Sequence, residues 1–242
     1  MPPGLIALVG SGEFLPGMED VDRELLAGRP PRAVFLPTAA APEGSDTVRY
    51  WTDLGAEHYT RLGVEPVPLL VLSRADADRP ALASAIAGAG LVYLSGGNPG
   101  YLAETLRHTA VWAAIVAAWR AGASVAGCSA GAGALTRVVY DVRQRDRGAL
   151  PGLGLVNHVS VIPHFDRMQA WAPGIVERFL HDTPRDVHLV GIDEDTAVVG
   201  GGDEWRVRGR QRAWLLGRGG SRQGFEAPSE IPLPRPLPAP RP

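Results

Sequence analysis

Short aliphatic and β-branched runs alternate with Ala- and Leu-rich amphipathic segments over residues 1–137, and this alternation constrains the fold more than any other feature of the chain. Apolar runs of about four to eight residues read as buried strands, and the longer segments between them carry helical spacing. Strands are expected at residues 5–9, 33–36, 91–94 and 124–128, with helices at 20–26, 45–62, 80–87 and 130–137. Residues 101–120 form one long helix or two. Pro66 and Pro68 place the extended stretch 65–72 near a sheet edge, because proline cannot donate to an interior ladder. Strand and helix in alternation argue for an α/β three-layer sandwich, a mostly parallel sheet covered on both faces. One α/β unit can reach about 250 residues. A chain of 242 is therefore expected to hold a single domain, spanning 1–226.

After Arg137 the pattern changes. Residues 159–162 and 189–192 read as further strands, with a helix near 175–180 between them. Residues 196–199, 204–208 and 213–216 read as short strands joined by Gly-rich turns, an antiparallel meander at one edge. Residues 227–242 alternate proline with Leu, Ala and Arg, and are expected to form a polyproline-like or disordered tail that cannot pair into a sheet.

Composition removes several function classes. The formal net charge is -2, which provides no field for gripping nucleic acid or an anionic membrane. All 24 Lys+Arg residues are arginine. Without lysine there can be no Schiff base, no pyridoxal-phosphate anchor, no Walker-type lysine and no Ser–Lys dyad. The one cysteine, Cys128, cannot form an internal disulfide. The N-terminal segment has neither a basic n-region nor a long enough apolar run for a signal peptide, and no stretch of about 20 apolar residues occurs, so a cytoplasmic protein is expected. One cysteine and six scattered histidines give no metal-ligand spacing, and no metal or cofactor is expected. Gly10-Ser11-Gly12-Glu13 has the look of a dinucleotide fingerprint, but Pro16 and the missing glycine spacing break it.

The richest stretch is Val125-Ala126-Gly127-Cys128-Ser129-Ala130-Gly131-Ala132-Gly133, a strand running through Gly-x-Ser-x-Gly into a small-residue helix. A nucleophile elbow needs this composition for steric reasons. Its central residue takes a strained backbone conformation, and tiny neighbours let strand and helix come close. Ser129 would project from the carboxyl end of the sheet, with the Ala130 amide pointing where an oxyanion forms. The alternative is a Gly-rich βα turn with a capping serine. A base is required, and His164 ends the run Val159-Ser160-Val161-Ile162-Pro163 at a strand's carboxyl end, where open α/β sheets build their sites. His58, His108 and His181 lie in polar helical segments and are expected at the surface, while His188 opens a strand and His158 sits in a loop. Asp193-Glu194-Asp195 end another strand, and periodicity does not select one acid among them. Leu94-Ser95-Gly96-Gly97-Asn98 is a second Gly-rich strand end, able to supply a further oxyanion amide.

Taken in order, Gly-Gly-Asn at 96–98, Gly-x-Ser-Ala-Gly-Ala from Gly127, Pro-His-Phe at 163–165 and Gly-Ile-Asp-Glu-x-Thr-Ala from Gly191 resemble the serine peptidase family of dipeptidase E (aspartyl dipeptidase) and cyanophycinase. The resemblance runs from the first strand to about Leu216. It implies a class I glutamine amidotransferase-like, flavodoxin-related fold, with Ser129 as nucleophile, His164 as general base and the Gly97 and Ala130 amides as oxyanion donors. Glu194 matches the cyanophycinase acid, with Asp146 and Asp141 as alternatives in the dipeptidase E position. Asn98 and Arg167 are implied substrate contacts, Arg167 as a clamp for a substrate carboxylate. Ile162-Pro163 departs from the Asp-Gln of cyanophycinase. The implied partner is a small peptide, hydrolysed through an acyl-enzyme, and a homodimer is plausible by resemblance alone.

Three other readings compete. An α/β-hydrolase expects the order Ser…Asp/Glu…His, which His164 before Glu194 contradicts. A glutamine amidotransferase would carry cysteine at the elbow, and Cys128 is one residue away from it. The third is a non-catalytic ligand-binding member of the fold.

Overall fold

The protein's structure, a computed structural model, describes residues 2–141, 148–171 and 174–235. Its first half runs β1 (Ile6–Val9), α1 (Glu19–Leu26), β2 (Arg32–Leu36), α2 (Ser45–Arg61), β3 (Glu65–Pro68), the short α3 (Arg74–Ala77) and α4 (Pro80–Ser84), and β4 (Leu91–Leu94). There follow α5 (Pro99–Leu106), α6 (Ala110–Arg120), β5 (Ser124–Cys128), α7 (Ala130–Leu135), and the two-residue strands β6 (Val138–Val139) and β7 (Leu150–Pro151). The last third holds β8 (Val159–Pro163), α8 (Phe165–Trp171), α9 (Ile175–Asp182), β9 (His188–Ile192), β10 (Thr196–Gly201), β11 (Glu204–Gly209), β12 (Arg212–Leu216) and β13 (Arg222–Glu226).

The larger sheet has the order β11-β10-β1-β5-β4-β2-β3. Strands β1, β5, β4, β2 and β3 are parallel, and β10 and β11 add antiparallel at one edge. The central strands are buried on both faces, so their sequences are continuous apolar runs rather than alternating ones. Proline-bearing β3 takes the opposite edge. One face is covered by α1, α2 and the segment before α1, through Phe14 and Met18 of that segment, Val21 and Leu25 of α1 and Tyr59 of α2. The other is covered by α4 to α7 and by a second sheet, and the architecture is an α/β sandwich with a mostly parallel central sheet. Helix α7 packs against β5, β1 and β8, and so lies between the two sheets. Residues 101–120 make two helices, split where Thr109 caps α6 by accepting from the Trp112 amide. Among the described residues, no helix is long and apolar enough to cross a membrane.

Three expectations need correction. The strands after residue 195 are not one meander. β10 and β11 join the large sheet, whereas β12 crosses to a second sheet of order β13-β12-β9-β8. The Pro-rich stretch does pair: Val207 N–H donates to Ser229 O, Ile231 N–H donates to Trp205 O, and Ile231 and Leu233 are buried. Residues 236–242 lie outside the described residues. His58 is fully buried rather than at the surface, with Nε2 2.7 Å from Asp22 Oδ2. Arg61 donates to His58 Nδ1 at 3.2 Å, which makes Nε2–H the donor to Asp22.

Candidate active site

Ser129 stands where β5 gives way to α7, with φ 50° and ψ -106°. This conformation is sparsely populated for side chains bearing a Cβ, and the surroundings must enforce it. The Ser129 amide donates to Val9 O at 2.9 Å, and the small residues around it remove the collisions that would follow. A Cβ on Gly127 would lie 2.4 Å from the Gly131 carbonyl carbon, and one on Gly131 only 2.1 Å from Leu94 O. The Gly-x-Ser-x-Gly pattern thus records the close approach of α7 to the sheet.

The other two side chains come from the second sheet. β8 and β9 are parallel with Pro163 opposite Ile192, so the residues that follow, His164 and 193–195, emerge side by side at the same end. His164 Nε2 is 2.6 Å from Ser129 Oγ, and His164 Nδ1 is 3.3 Å from Glu194 Oε1. Both carboxylate neighbours face elsewhere. Asp193 accepts from Trp214 Nε1 at 3.0 Å, and burial raises its carboxyl pKa above the usual range. Asp195 takes a left-handed backbone, and its carboxylate lies against Gly12, where a Cβ would come within 2.4 Å of Asp195 Oδ1. Glu194 is held by its own backbone: its N–H donates to Asp166 Oδ1 at 3.0 Å, and its carbonyl accepts from Gln211 Nε2 and Thr196 Oγ1. Of the alternative acids, Asp141 lines the pocket beside Ser129, and Asp146 lies outside the described residues.

Gly97 and Ala130 border the same pocket. Gly97 has φ 136°, and a Cβ there would lie 2.4 Å from Ala39 O, so only glycine fits. Among the described residues, neither the Gly97 nor the Ala130 amide is spent on another acceptor. The remaining sequence-derived contacts, Asn98 and Arg167, have partners within the protein. Asn98 Oδ1 caps α5 by accepting from the Tyr101 amide at 2.8 Å, and Asn98 is absent from the pocket wall. Arg167 lies 3.6 Å from both Glu194 Oε2 and Asp166 Oδ2, so its guanidinium balances the acid rather than reaching into the pocket.

The pocket holds about 240 Å³, and its walls are largely apolar: Pro99, Val161, Pro163, Met168, Trp171 and Phe179. Trp171 is exposed, with its ring 5.6 Å from that of His164. Sequence reasoning missed this wall: a helix was expected only near 175–180, and α8, which carries Met168 and Trp171, was not foreseen. It also missed Glu13, which is buried within the first βα loop and whose signal was an acid directly after Gly-Ser-Gly.

Comparison with known proteins identifies the family and the fold. The family model for peptidase family S51 matches residues 6–208. The crystal structure of a peptidase from an acI-B1 Actinobacterium is 39% identical, with a TM-score of 0.87 over 95% of this chain and 97% of that one. The crystal structure of a candidate peptidase E protein from Listeria monocytogenes EGD-e shares the fold, with 19% identity and a TM-score of 0.63 over 86% of this chain and 100% of that one. No functionally curated protein matches. A match over most of the chain, on a frame that brings the elbow serine, a histidine and a glutamate together, places it: the chain belongs to peptidase family S51.

Proposed function

We propose that this peptidase is of the serine type and hydrolyses dipeptides or short peptides through an acyl-enzyme, with Ser129 as nucleophile, His164 as general base and Glu194 as the acid that orients the imidazole. The observation that carries the reading is the continuous hydrogen-bonded chain from Ser129 Oγ through His164 to Glu194. Nε2 takes the hydroxyl proton as Oγ attacks the peptide carbonyl, and the bond to Glu194 stabilises the imidazolium that forms. The unspent Gly97 and Ala130 amides receive the oxyanion. His164 then protonates the departing amine, and water repeats the sequence on the ester.

The pocket beside Ser129 supports a peptide with an apolar or aromatic side chain next to the scissile bond, since its wall is aliphatic and aromatic. A carboxylate clamp at Arg167 finds less support, because that guanidinium already faces two carboxylates. The test is a mass-spectrometric screen of a mixed dipeptide and tripeptide library, run with wild type and Ser129→Ala side by side. Wild type is expected to cleave apolar members, and Ser129→Ala to lose about 10⁴-fold or more in rate while keeping its fold. Equal cleavage by both proteins would remove Ser129 from the chemistry. Binding without cleavage by either would favour a ligand-binding member of the fold.

A further inference from the structure

Glu13 is buried, 5% exposed, and no step above uses it. A buried carboxyl is costly unless its oxygens are hydrogen-bonded. Here the two oxygens go to separate segments of the site. Oε1 accepts the Gly96 N–H at 2.9 Å, and Oε2 accepts the Cys128 thiol at 2.7 Å. Burial, together with the adjacent Glu13 charge, pushes the Cys128 pKa well up, so the sulfur keeps the proton it donates. Each partner adjoins a group of the proposed reaction: Gly96 precedes Gly97, and Cys128 precedes Ser129. A Cβ on Gly96 would lie 2.9 Å from Glu13 Oε1 and 3.6 Å from Ser129 Cβ, so the three residues form one contact cluster. On the far side of Gly97, the Asn98 amide donates to Ala39 O at 2.7 Å. The Gly97 peptide is therefore pinned at both flanks while its own amide stays unspent.

We infer that Glu13 is a positioning residue for the oxyanion site: its carboxylate ties the loop that presents the Gly97 amide to the strand end that presents Ser129 and the Ala130 amide. The inference rests on the serine-peptidase reading. Its effect comes from geometry. A misplacement of about 1 Å can cost about 10²-fold in rate, and oxyanion donors act only when aimed at the developing charge.

The test follows the rate at which a fluorophosphonate labels Ser129, since this reaction passes through an oxyanion-like transition state and needs no known substrate. Glu13→Leu fills the site but releases both tethers, and is expected to label about 10²-fold more slowly than wild type. Glu13→Gln can still accept from Gly96 N–H and donate to Cys128 Sγ, and is expected to stay within about tenfold of wild type. For any peptide found in the library screen, the loss in Glu13→Leu is expected in kcat, with KM within about threefold of wild type. A wild-type Ser129 that does not label would overturn the nucleophile assignment, and the positioning role with it. A wild type that labels beside a folded Glu13→Leu protein of equal rate would overturn the positioning role alone. So would a Glu13→Gln protein as slow as Glu13→Leu. Should Glu13→Leu not fold, Cys128→Ala releases one tether. It is then expected to label about three- to tenfold more slowly, and equal labelling would overturn the inference.

Discussion

Ser129 and Cys128 are adjacent, yet the fold gives them opposite chemistry. The positive φ at Ser129 turns its Oγ toward His164, whereas Cys128 is fully buried and donates to Glu13. With its pKa held well above the usual thiol range, Cys128 is not a nucleophile at neutral pH. Iodoacetamide is accordingly expected to leave the native protein unmodified, and to label one thiol after unfolding in guanidinium, as mass spectrometry would read. Loss of activity by alkylation of the folded protein would contradict this. The Asp22–His58 pair is buried and hydrogen-bonded. Burial raises the Asp22 pKa, with the His58 hydrogen bond opposing that rise. A carboxyl whose folded pKa is raised contributes stability that is full below its unfolded value and is lost as pH rises through its folded one. His58→Leu removes the opposing bond and raises the Asp22 pKa further. The variant should therefore lose about 3 kcal/mol at pH 7.5, and clearly less at pH 4.5, in urea unfolding. A pH-independent loss would show that Asp22 is not what His58 supports. Residues of this kind separate what the sequence reveals from what it conceals. Ser129 and His164 could be read because local composition at two strand ends betrays them. Asp22–His58 and Glu13–Gly96 join positions 36 and 83 residues apart, with no local mark.

At the scale of elements, most strands and helices were legible to within a few residues, because burial on both faces writes a continuous apolar run into each central strand. Strand partners were not. An apolar run does not state which sheet it enters, and residues 189–192 and 213–216 went to a second sheet that no periodicity announced. That sheet matters for the site, since the parallel register of β8 and β9 carries His164 and Glu194 to one end. Helix α8 starts immediately after β8, anchored by Phe165 on Gly191, where a Cβ would lie 2.5 Å from the ring. Its last residue, Trp171, then forms an outer wall of the pocket. Trp171→Ala is expected to raise KM for peptides with aromatic side chains about five- to tenfold, on the order of 1 kcal/mol of lost contact, with little change in kcat. Steady-state kinetics on a matched pair, one peptide aromatic and one glycine-containing, would check it. An equal KM rise for both would mean that Trp171 serves the fold rather than side-chain selection.

The whole molecule is closed by the segment read from sequence as a free tail. β11 ends the larger sheet, and an uncovered end strand offers its amides and carbonyls to other chains. The stretch 229–235 covers it: Val207 and Ile231 amides pair across the two segments, and Arg206 forms an antiparallel bridge with Glu230. Leu233 is fully buried and Ile231 nearly so, both within the main core. The end is then fastened, because the Arg235 amide donates to Asp203 Oδ1 at 3.1 Å and His188 Nε2 donates to Pro234 O at 3.1 Å. Alternating proline limits this strap to a few ladder bonds, which is why composition alone suggested no pairing. Its aliphatic residues supply what the prolines cannot. Leu233→Ala should cost about 2–5 kcal/mol in unfolding free energy. A chain ending at residue 226 loses both buried side chains and uncovers β11, so it should melt well below the full-length protein and sediment in part as higher oligomers. Because the strap is held against the edge strand and core rather than among the pocket residues, the monomeric fraction should still label at Ser129 at close to the full-length rate. Identical melting of the two chains would mean that the strap adds no stability. A truncated monomer that stays folded but no longer labels would instead tie the strap to the site itself.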